Sequence, residues 1–280
     1  MTNKRIVLIV LLLVAAIFPS PAQILVTGGG TMLEDSIKQD FSNQPYFGLY
    51  KDNYFIFGPP VGIKPTNENT NIKFQISISQ RLTRASLPWG TYLYLFYTQK
   101  CFWNVLENSM PMTDLNFNPG VGLTKPLFAK NRYIGKLTFM IEHESNGRDS
   151  IQSRSWNRVA FAANIFVTKN FMVHGKIWAP IVDGMNNKDI VDYCGFFNFG
   201  CQVISDNRRF CAGLTVVKRK GWNLNANTIL DLSYRIFKDD NQYLFLQLYN
   251  GYGEGLLNYN KYQSNLRIGL LIKPKLFSDY

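Results

Sequence analysis

Apolar and polar residues alternate along most of this chain, in segments separated by turn-forming residues. In the segment 133–145 the odd positions are apolar until His143 and Ser145, whereas the even positions are mostly polar. Successive side chains of a strand point to opposite faces, so each segment predicts a β-strand with one apolar and one polar face. Alternating segments of about ten residues are typical of a transmembrane β-barrel.

A soluble β-sandwich is the alternative interpretation, because its strands alternate as well. The polar faces here repeatedly contain Asn, Asp, Gln and Arg, as in the segment 223–237, which favours a polar lumen over a dry core. We therefore predict an all-β fold, a single antiparallel transmembrane barrel of about twelve strands; closed bacterial barrels of one chain have an even number. The predicted strands are 45–57, 72–81, 89–99, 115–127, 133–145, 157–168, 171–181, 193–204, 209–218, 223–237, 242–250 and 265–273.

The N-terminus has the pattern of a signal peptide. Lys4 and Arg5 precede an apolar run over 6–17, and small residues at 20–22 precede Gln23. That run is too short for a spanning helix, and no later segment reaches about twenty consecutive apolar residues. We therefore predict a cleaved signal peptide at 1–22, a periplasmic N-terminal arm at 23–44 and an outer-membrane barrel at 45–280.

Composition and charge are consistent with a membrane barrel. Aromatic residues make up 15% of the chain and suit the girdles of a barrel at the lipid–water interfaces. The formal net charge is +11, but an export signal and the lack of a recognisable nucleic-acid module argue against a nucleic-acid partner. Anionic lipid headgroups or lipopolysaccharide phosphates are the favoured partners. The densest cluster of basic residues lies at 218–220. The alternative interpretation of this cluster is a solvated loop with no partner.

The cysteines predict no metal site and leave the question of a disulfide open. Their spacing contains no C-x-x-C motif. Cys194 and Cys201 are spaced to bridge a short hairpin, but the sequence leaves this open. The four are Cys101, Cys194, Cys201 and Cys211.

A serine, a histidine and an asparagine are predicted to meet near the middle of the chain. His143 and Ser145 share one face of a strand. If the chain reverses around Ser150, Asn157 lies opposite His143 on the next strand, where facing Cβ atoms are roughly 5 Å apart. The three side chains then converge without any long-range assumption about the fold.

These residue types suit acyl transfer. A histidine can deprotonate a serine hydroxyl, and an amide oxygen can orient the histidine ring. Gly147 follows closely enough for its N–H to face an oxyanion. The alternative is that His143 and Ser145 are ordinary strand residues. However, they lie on an apolar face, where an unpaired polar group costs several kcal/mol in lipid, so they need one another or a lipid substrate.

The segment 143–158 resembles the active-site signature of the outer-membrane phospholipase A family of Gram-negative bacteria, with its spacing intact. The block 97–103, with Ser109, Pro111 and Pro119 beyond it, is similar to that family's preceding strand, loop and strand. The block 247–260 is similar to its penultimate strand and final loop.

The resemblance implies a twelve-stranded barrel with its serine on the outer wall. It implies hydrolysis of acyl esters of glycerophospholipids and lysophospholipids, as a phospholipase A1, phospholipase A2 and lysophospholipase. Ser145 would be the nucleophile, His143 the base and Asn157 the group that orients it. The Gly147 N–H would contribute to the oxyanion hole.

The resemblance also implies Ca²⁺ as cofactor. Backbone carbonyls of Arg148 and Ser153 would bind it, joined by Ser109 of a second subunit, which makes the active species a homodimer. Such oxygens are the hard ligands that calcium prefers. A second calcium site is left open, because Asn186 stands where the family has an aspartate and Asp183 or Asp189 would have to substitute for it.

Two functions therefore compete. The first is a calcium-dependent phospholipase whose active site lies toward the outer leaflet, as follows if both termini are periplasmic. The second is a non-catalytic outer-membrane barrel, a channel or structural protein, in which the His143 and Ser145 pair is incidental.

Overall fold

The computed structural model describes residues 46–129, 132–237 and 240–273. Its strands form one antiparallel sheet that closes through the pairing of β3 with β4. The predicted signal peptide (1–22), the arm (23–44) and the end of the barrel domain (274–280) lie outside the described residues. The strands are β1 (Phe47–Leu49), β2 (Asn53–Gly58), β3 (Asn71–Arg81), β4 (Tyr92–Trp103), β5 (Met112–Ala129), β6 (Arg132–Ser145), β7 (Ser155–Phe166), β8 (Phe171–Ile181), β9 (Phe197–Ile204), β10 (Phe210–Lys218), β11 (Ala226–Arg235), β12 (Gln242–Gly251) and β13 (Gln263–Ile272).

The barrel has twelve strands, as predicted, because β1 and β2 are one interrupted strand. Both pair with β3, and Ser77 of β3 bridges the interruption. Its carbonyl accepts from the Tyr50 N–H at 3.1 Å and its hydroxyl from the Lys51 N–H at 3.2 Å. The Asn53 side chain accepts from the Ser77 N–H at 2.6 Å. These backbone groups therefore keep hydrogen-bond partners at the interruption, as groups facing lipid require.

The two faces of the wall differ as the alternation predicts. On β6, Phe139 and Ile141 are 46% and 51% exposed on the outer surface. Between and beside them Thr138, Met140 and Glu142 are buried and face the lumen. The outer face is apolar and the inner face is polar, as expected for a barrel in lipid.

The connection between β12 and β13 is held inside the barrel by a buried carboxylate. Glu254, in the connection between β12 and β13, is 1% exposed. Its carboxylate contacts the guanidinium of Arg267 at 2.6 Å and the amine of Lys73 at 3.1 Å. A second carboxylate oxygen accepts from the Asn265 amide at 2.7 Å. Buried charges that are paired and hydrogen-bonded in this way hold the loop inside the barrel.

A second ionic cluster lies below the candidate site. Glu142 contacts the amine of Lys176 at 2.6 Å, and Arg158 contacts Glu144 at 3.0 Å. The Arg158 guanidinium also lies 4.4 Å from the ring centre of Trp156. Arg158 contacts both glutamates, since its Nε atom lies 3.5 Å from Glu142 as well.

The sequence missed one helix. Residues 193 and 194 were expected to begin a strand, but they end a short helix, α1 (Ile190–Cys194), and β9 begins only at Phe197. Apolar burial explains the difference, because Ile190 is fully buried against a cluster that includes Trp156 and Trp178. Gly195, with φ of 74°, ends the helix in a conformation that favours glycine.

Other strand boundaries differ from the expectation in smaller ways. β4 starts at Tyr92 and not at 89, because Trp89 and Gly90 form a turn with φ of 65° and 70°.

All four cysteines are free, so no disulfide joins Cys194 and Cys201. Within the described residues, no helix has the length and apolar character to cross a membrane.

Candidate active site

The hairpin of β6 and β7 brings two of the predicted residues into contact. His143 pairs with Asn157 across the strands, and Ser145 pairs with Ser155. The Nδ1 atom of His143 lies 2.8 Å from the Oδ1 atom of Asn157. Ser145 is two residues beyond His143 and therefore on the same, outward face. The expected register is confirmed, and the polar cluster lies on the apolar wall at the end of the barrel opposite residues 46 and 273.

One side chain, that of Asn146, holds the two arms of the loop after Ser145 together. Asn146 is 2% exposed, and its amide donates to the carbonyl of Gln152 at 2.8 Å. Its Oδ1 atom accepts from the N–H groups of Arg148 at 3.3 Å and Arg154 at 2.9 Å. Asn146 thus joins both arms of the loop. Sequence reasoning did not single it out, although an Asn-Gly pair after a strand is a common turn signal.

Gly147 follows the candidate nucleophile in a conformation that favours glycine. Its φ is 63°, and a Cβ atom there would lie 2.9 Å from the ring of Phe117. A neighbouring side chain also holds the strand, because the amide of Asn118 donates to the carbonyl of His143 at 2.7 Å. The backbone around the site is therefore packed from the side of β5, and any side chain at 147 would displace it.

The connection between β8 and β9 packs against the other side. The Asn157 amide nitrogen donates to Asp183 at 2.9 Å, and the Ser155 hydroxyl donates to the other carboxylate oxygen at 3.4 Å. Asn187, fully buried, accepts from the Ser155 N–H at 3.2 Å and donates to the Ser155 carbonyl at 2.8 Å. Sequence reasoning named Asp183 only as a possible calcium ligand and missed this contact.

The predicted calcium ligands lie in two loops at this end of the barrel. Arg148 and Ser153 are in the β6–β7 loop, which Asn146 closes, and the Ser153 carbonyl accepts from the Arg154 guanidinium at 2.8 Å. Ser109 is exposed in the β4–β5 loop. Among the described residues no group of three or more His, Cys, Asp or Glu side chains is arranged to hold a metal.

The aspartates near Asn186 are already engaged within the chain. The Tyr259 hydroxyl donates a hydrogen bond to Asp189. The pKa of Tyr259 is raised chiefly by burial and also by this hydrogen bond. Asn186 itself donates to the carbonyl of Ser150 at 2.7 Å. These contacts join the loops around the site to one another.

The other histidine is not part of the cluster. His174 is 5% exposed on the lumen side of β8, and its Nε2 atom lies 3.2 Å from the Thr215 hydroxyl. His174 is therefore a buried, hydrogen-bonded strand residue.

Comparison with known proteins decides the family. The sequence model of the family described as phospholipase A1 matches residues 50–272. The chain belongs to the phospholipase A1 family. A phospholipase A1 of Proteus vulgaris is 32% identical over 222 residues, which cover 74% of this chain and 72% of that protein.

Solved structures of the family share the barrel. An outer membrane phospholipase A of Escherichia coli, in a variant with an active-site asparagine replaced by alanine, has 25% identity and a TM-score of 0.71, covering 88% of this chain and 99% of that one. A Salmonella typhi outer membrane phospholipase, a dimer with bound calcium, has 24% identity and a TM-score of 0.72, covering 89% and 100%. This phospholipase A1 family member is an outer-membrane β-barrel that belongs to a family of outer-membrane enzymes.

Proposed function

We propose that this protein hydrolyses acyl ester bonds of glycerophospholipids and lysophospholipids with Ser145, His143 and Asn157. The observation that carries the proposal is the 2.8 Å contact between His143 Nδ1 and Asn157 Oδ1. It fixes the imidazole on the same face as the serine, where a phospholipid can approach from the membrane. Membership of a family described as phospholipase A1 supports it.

In the proposed reaction His143 Nε2 takes the proton of the Ser145 hydroxyl as its oxygen attacks the ester carbonyl. The resulting oxyanion faces the Gly147 N–H. Collapse of the tetrahedral intermediate breaks the bond to the glycerol oxygen, which receives the proton from His143. Water, deprotonated by His143, then attacks the acyl-enzyme, and the fatty acid leaves as Ser145 recovers its proton.

The wall beside the site suits an acyl chain. Ile141 is 51% exposed two residues before His143, and Ile181, opposite Asn157 in the register, is 56% exposed. Acyl chains lying on these residues would bring the ester to the level of Ser145. The site lies at the barrel end opposite residues 46 and 273, which fits an active site toward the outer leaflet if both termini are periplasmic.

The β6–β7 loop fits calcium. Carbonyls of Arg148 and Ser153 are hard oxygen donors, and the Ser153 carbonyl, which accepts one hydrogen bond from Arg154, has a second lone pair. Ca²⁺ held there with Ser109 of a second subunit would polarise the scissile carbonyl. The Salmonella typhi relative, a dimer with bound calcium, supports both the cofactor and the homodimer.

A lipopolysaccharide contact at 218–220 stays a prediction. The Lys218 amine is bonded to the Asn225 side chain and to two backbone carbonyls of its own loop, so it serves the loop itself. Lys220, whose side chain is 68% exposed, pairs with Asp192 at 2.9 Å. Lipid phosphates would therefore compete with Asp192 for Lys220.

Fatty-acid release from detergent-dispersed phospholipid tests the proposal. The wild-type protein should hydrolyse the lipid with calcium and lose activity with a chelator. Ser145→Ala should fold and lose activity by several decades, whereas Ser205→Ala, in a turn at the opposite end, should match the wild type. Lipids labelled at one acyl position, and lysophospholipid, measure the A1, A2 and lysophospholipase activities. Ser145→Ala with more than about a tenth of wild-type activity would contradict the proposal.

A further inference from the structure

An asparagine that orients a histidine has an ambiguity that an aspartate lacks. One side of its amide accepts a hydrogen bond and the other donates. If the NH₂ group faced Nδ1 of His143, that nitrogen would have to be the acceptor, and Nε2 would carry the ring proton. A neutral histidine in that tautomer cannot take the proton of Ser145. The orientation of the Asn157 amide therefore decides whether His143 is a base.

Asp183 is placed to decide that orientation. Its carboxylate lies 2.9 Å from the Asn157 amide nitrogen, on the side of the amide away from His143. An ionised carboxylate only accepts hydrogen bonds, so the NH₂ group must face it. The Oδ1 atom then faces His143, at the observed 2.8 Å.

The position of Asp183 is itself fixed by the fold. It follows β8 by two residues, beside β7. The next residue, Gly184, fits only without a side chain, since a Cβ atom would lie 2.7 Å from the Ser155 carbonyl oxygen. Buried Asn187 bonds both backbone groups of Ser155, and so attaches the loop to β7 as a further strand residue would.

We propose that Asp183 is a positioning residue that holds the Asn157 amide with its oxygen toward His143 and thereby selects the tautomer with a free Nε2. The proposal rests on the proposed function of Ser145, His143 and Asn157. Asp183 acts on His143 through the Asn157 amide. Its negative charge also favours the imidazolium that forms when His143 accepts the serine proton.

The first test is Asp183→Asn. An asparagine can donate as well as accept, so the preference for one amide orientation is lost. We expect kcat to fall about three- to tenfold with little change in KM, a modest effect because the carboxylate is exposed and water competes for the amide. Asp206→Asn is the matched control, since Asp206 is an exposed aspartate that accepts from the Asn170 amide at 2.8 Å in a turn at the opposite end. It should match the wild type.

Calcium dependence separates positioning from metal binding. If Asp183 positions Asn157, the lower kcat of Asp183→Asn persists at saturating calcium. A defect that disappears as calcium is raised would make Asp183 a metal ligand and overturn the proposal. Unchanged kcat in Asp183→Asn would overturn it as well.

The decisive test exchanges the two groups. Asn157→Asp brings two carboxylates together, and their repulsion should disturb the site. In Asn157→Asp combined with Asp183→Asn, the new carboxylate at position 157 accepts a hydrogen bond from His143, as the asparagine oxygen did. The new amide at position 183 donates a hydrogen bond to that carboxylate, so the contact between the two positions is kept with donor and acceptor exchanged. We expect the double variant to be at least about fivefold more active than Asn157→Asp, a coupling that neighbouring polar pairs commonly show.

If Asp183 acted only in loop folding, adding Asp183→Asn would not restore activity to Asn157→Asp. A double variant no more active than Asn157→Asp would refute the exchange. Failure of the proposed function gives a different result, because Ser145→Ala would then remain active whatever the behaviour of the Asp183 variants.

Discussion

Replacement of Asn157 by alanine probes the contact on which the proposed function depends. The variant removes the acceptor 2.8 Å from His143 Nδ1 while leaving Ser145 and His143 in place. A hydrogen bond to a group that becomes charged contributes about 1.5–3 kcal/mol. At 1.36 kcal/mol per decade of rate, that loss corresponds to a decrease of about 10- to 150-fold in kcat. Hydrolysis should persist at this lower level, because a misoriented His143 still acts as a base.

The assay is fatty-acid release from detergent-dispersed phospholipid at saturating calcium, with barrel folding followed by the heat-dependent shift in electrophoretic mobility. Asn170→Ala is the matched control, since Asn170 also donates to an exposed aspartate but lies at the far end. Wild-type turnover in Asn157→Ala would refute the orienting role. Loss of the folded barrel together with all activity would instead assign Asn157 to folding.

Three further predictions concern the lumen, the oxyanion and the metal. Glu254→Gln leaves two buried cations without their carboxylate, so the free energy of unfolding in detergent should fall by about 3–5 kcal/mol; a loss below about 1 kcal/mol would contradict the buried pairing. Gly147→Ala adds a methyl group 2.9 Å from the Phe117 ring at positive φ, so kcat should fall about tenfold or more with the barrel intact; unchanged kcat would exclude Gly147 from the oxyanion hole. Chelation should end hydrolysis and lower the crosslinked dimer fraction, and Ser109→Ala should raise the calcium concentration needed for activity; an active monomer that resists chelation would contradict the shared site.

The strands and the central pair were predictable because they depend on local pattern. Alternation assigns each segment its faces, and a reversal near Ser150 fixes the register that pairs His143 with Asn157. The family resemblance added the roles of these residues and the calcium ligands. Neither required knowledge of contacts between distant parts of the chain.

The features that were missed depend on such contacts. Glu254, in the loop before β13, meets Lys73 of β3, which is far away in the sequence. Helix α1 forms where a strand was expected because Ile190 is buried against distant tryptophans. Asp183 reaches Asn157 only because Asn187 attaches its loop to β7. Side-chain partners brought together by closure of a barrel leave no periodic signal in the sequence.

Covalent labelling tests the central claim most directly. Native protein in detergent, with calcium, is treated with a sulfonyl fluoride, and its peptides are then measured by mass spectrometry. The account predicts an adduct on Ser145 that blocks hydrolysis and is absent from unfolded protein and from His143→Ala. Protein that hydrolyses phospholipid but carries no adduct on Ser145, or loses activity through an adduct on another serine, would contradict it.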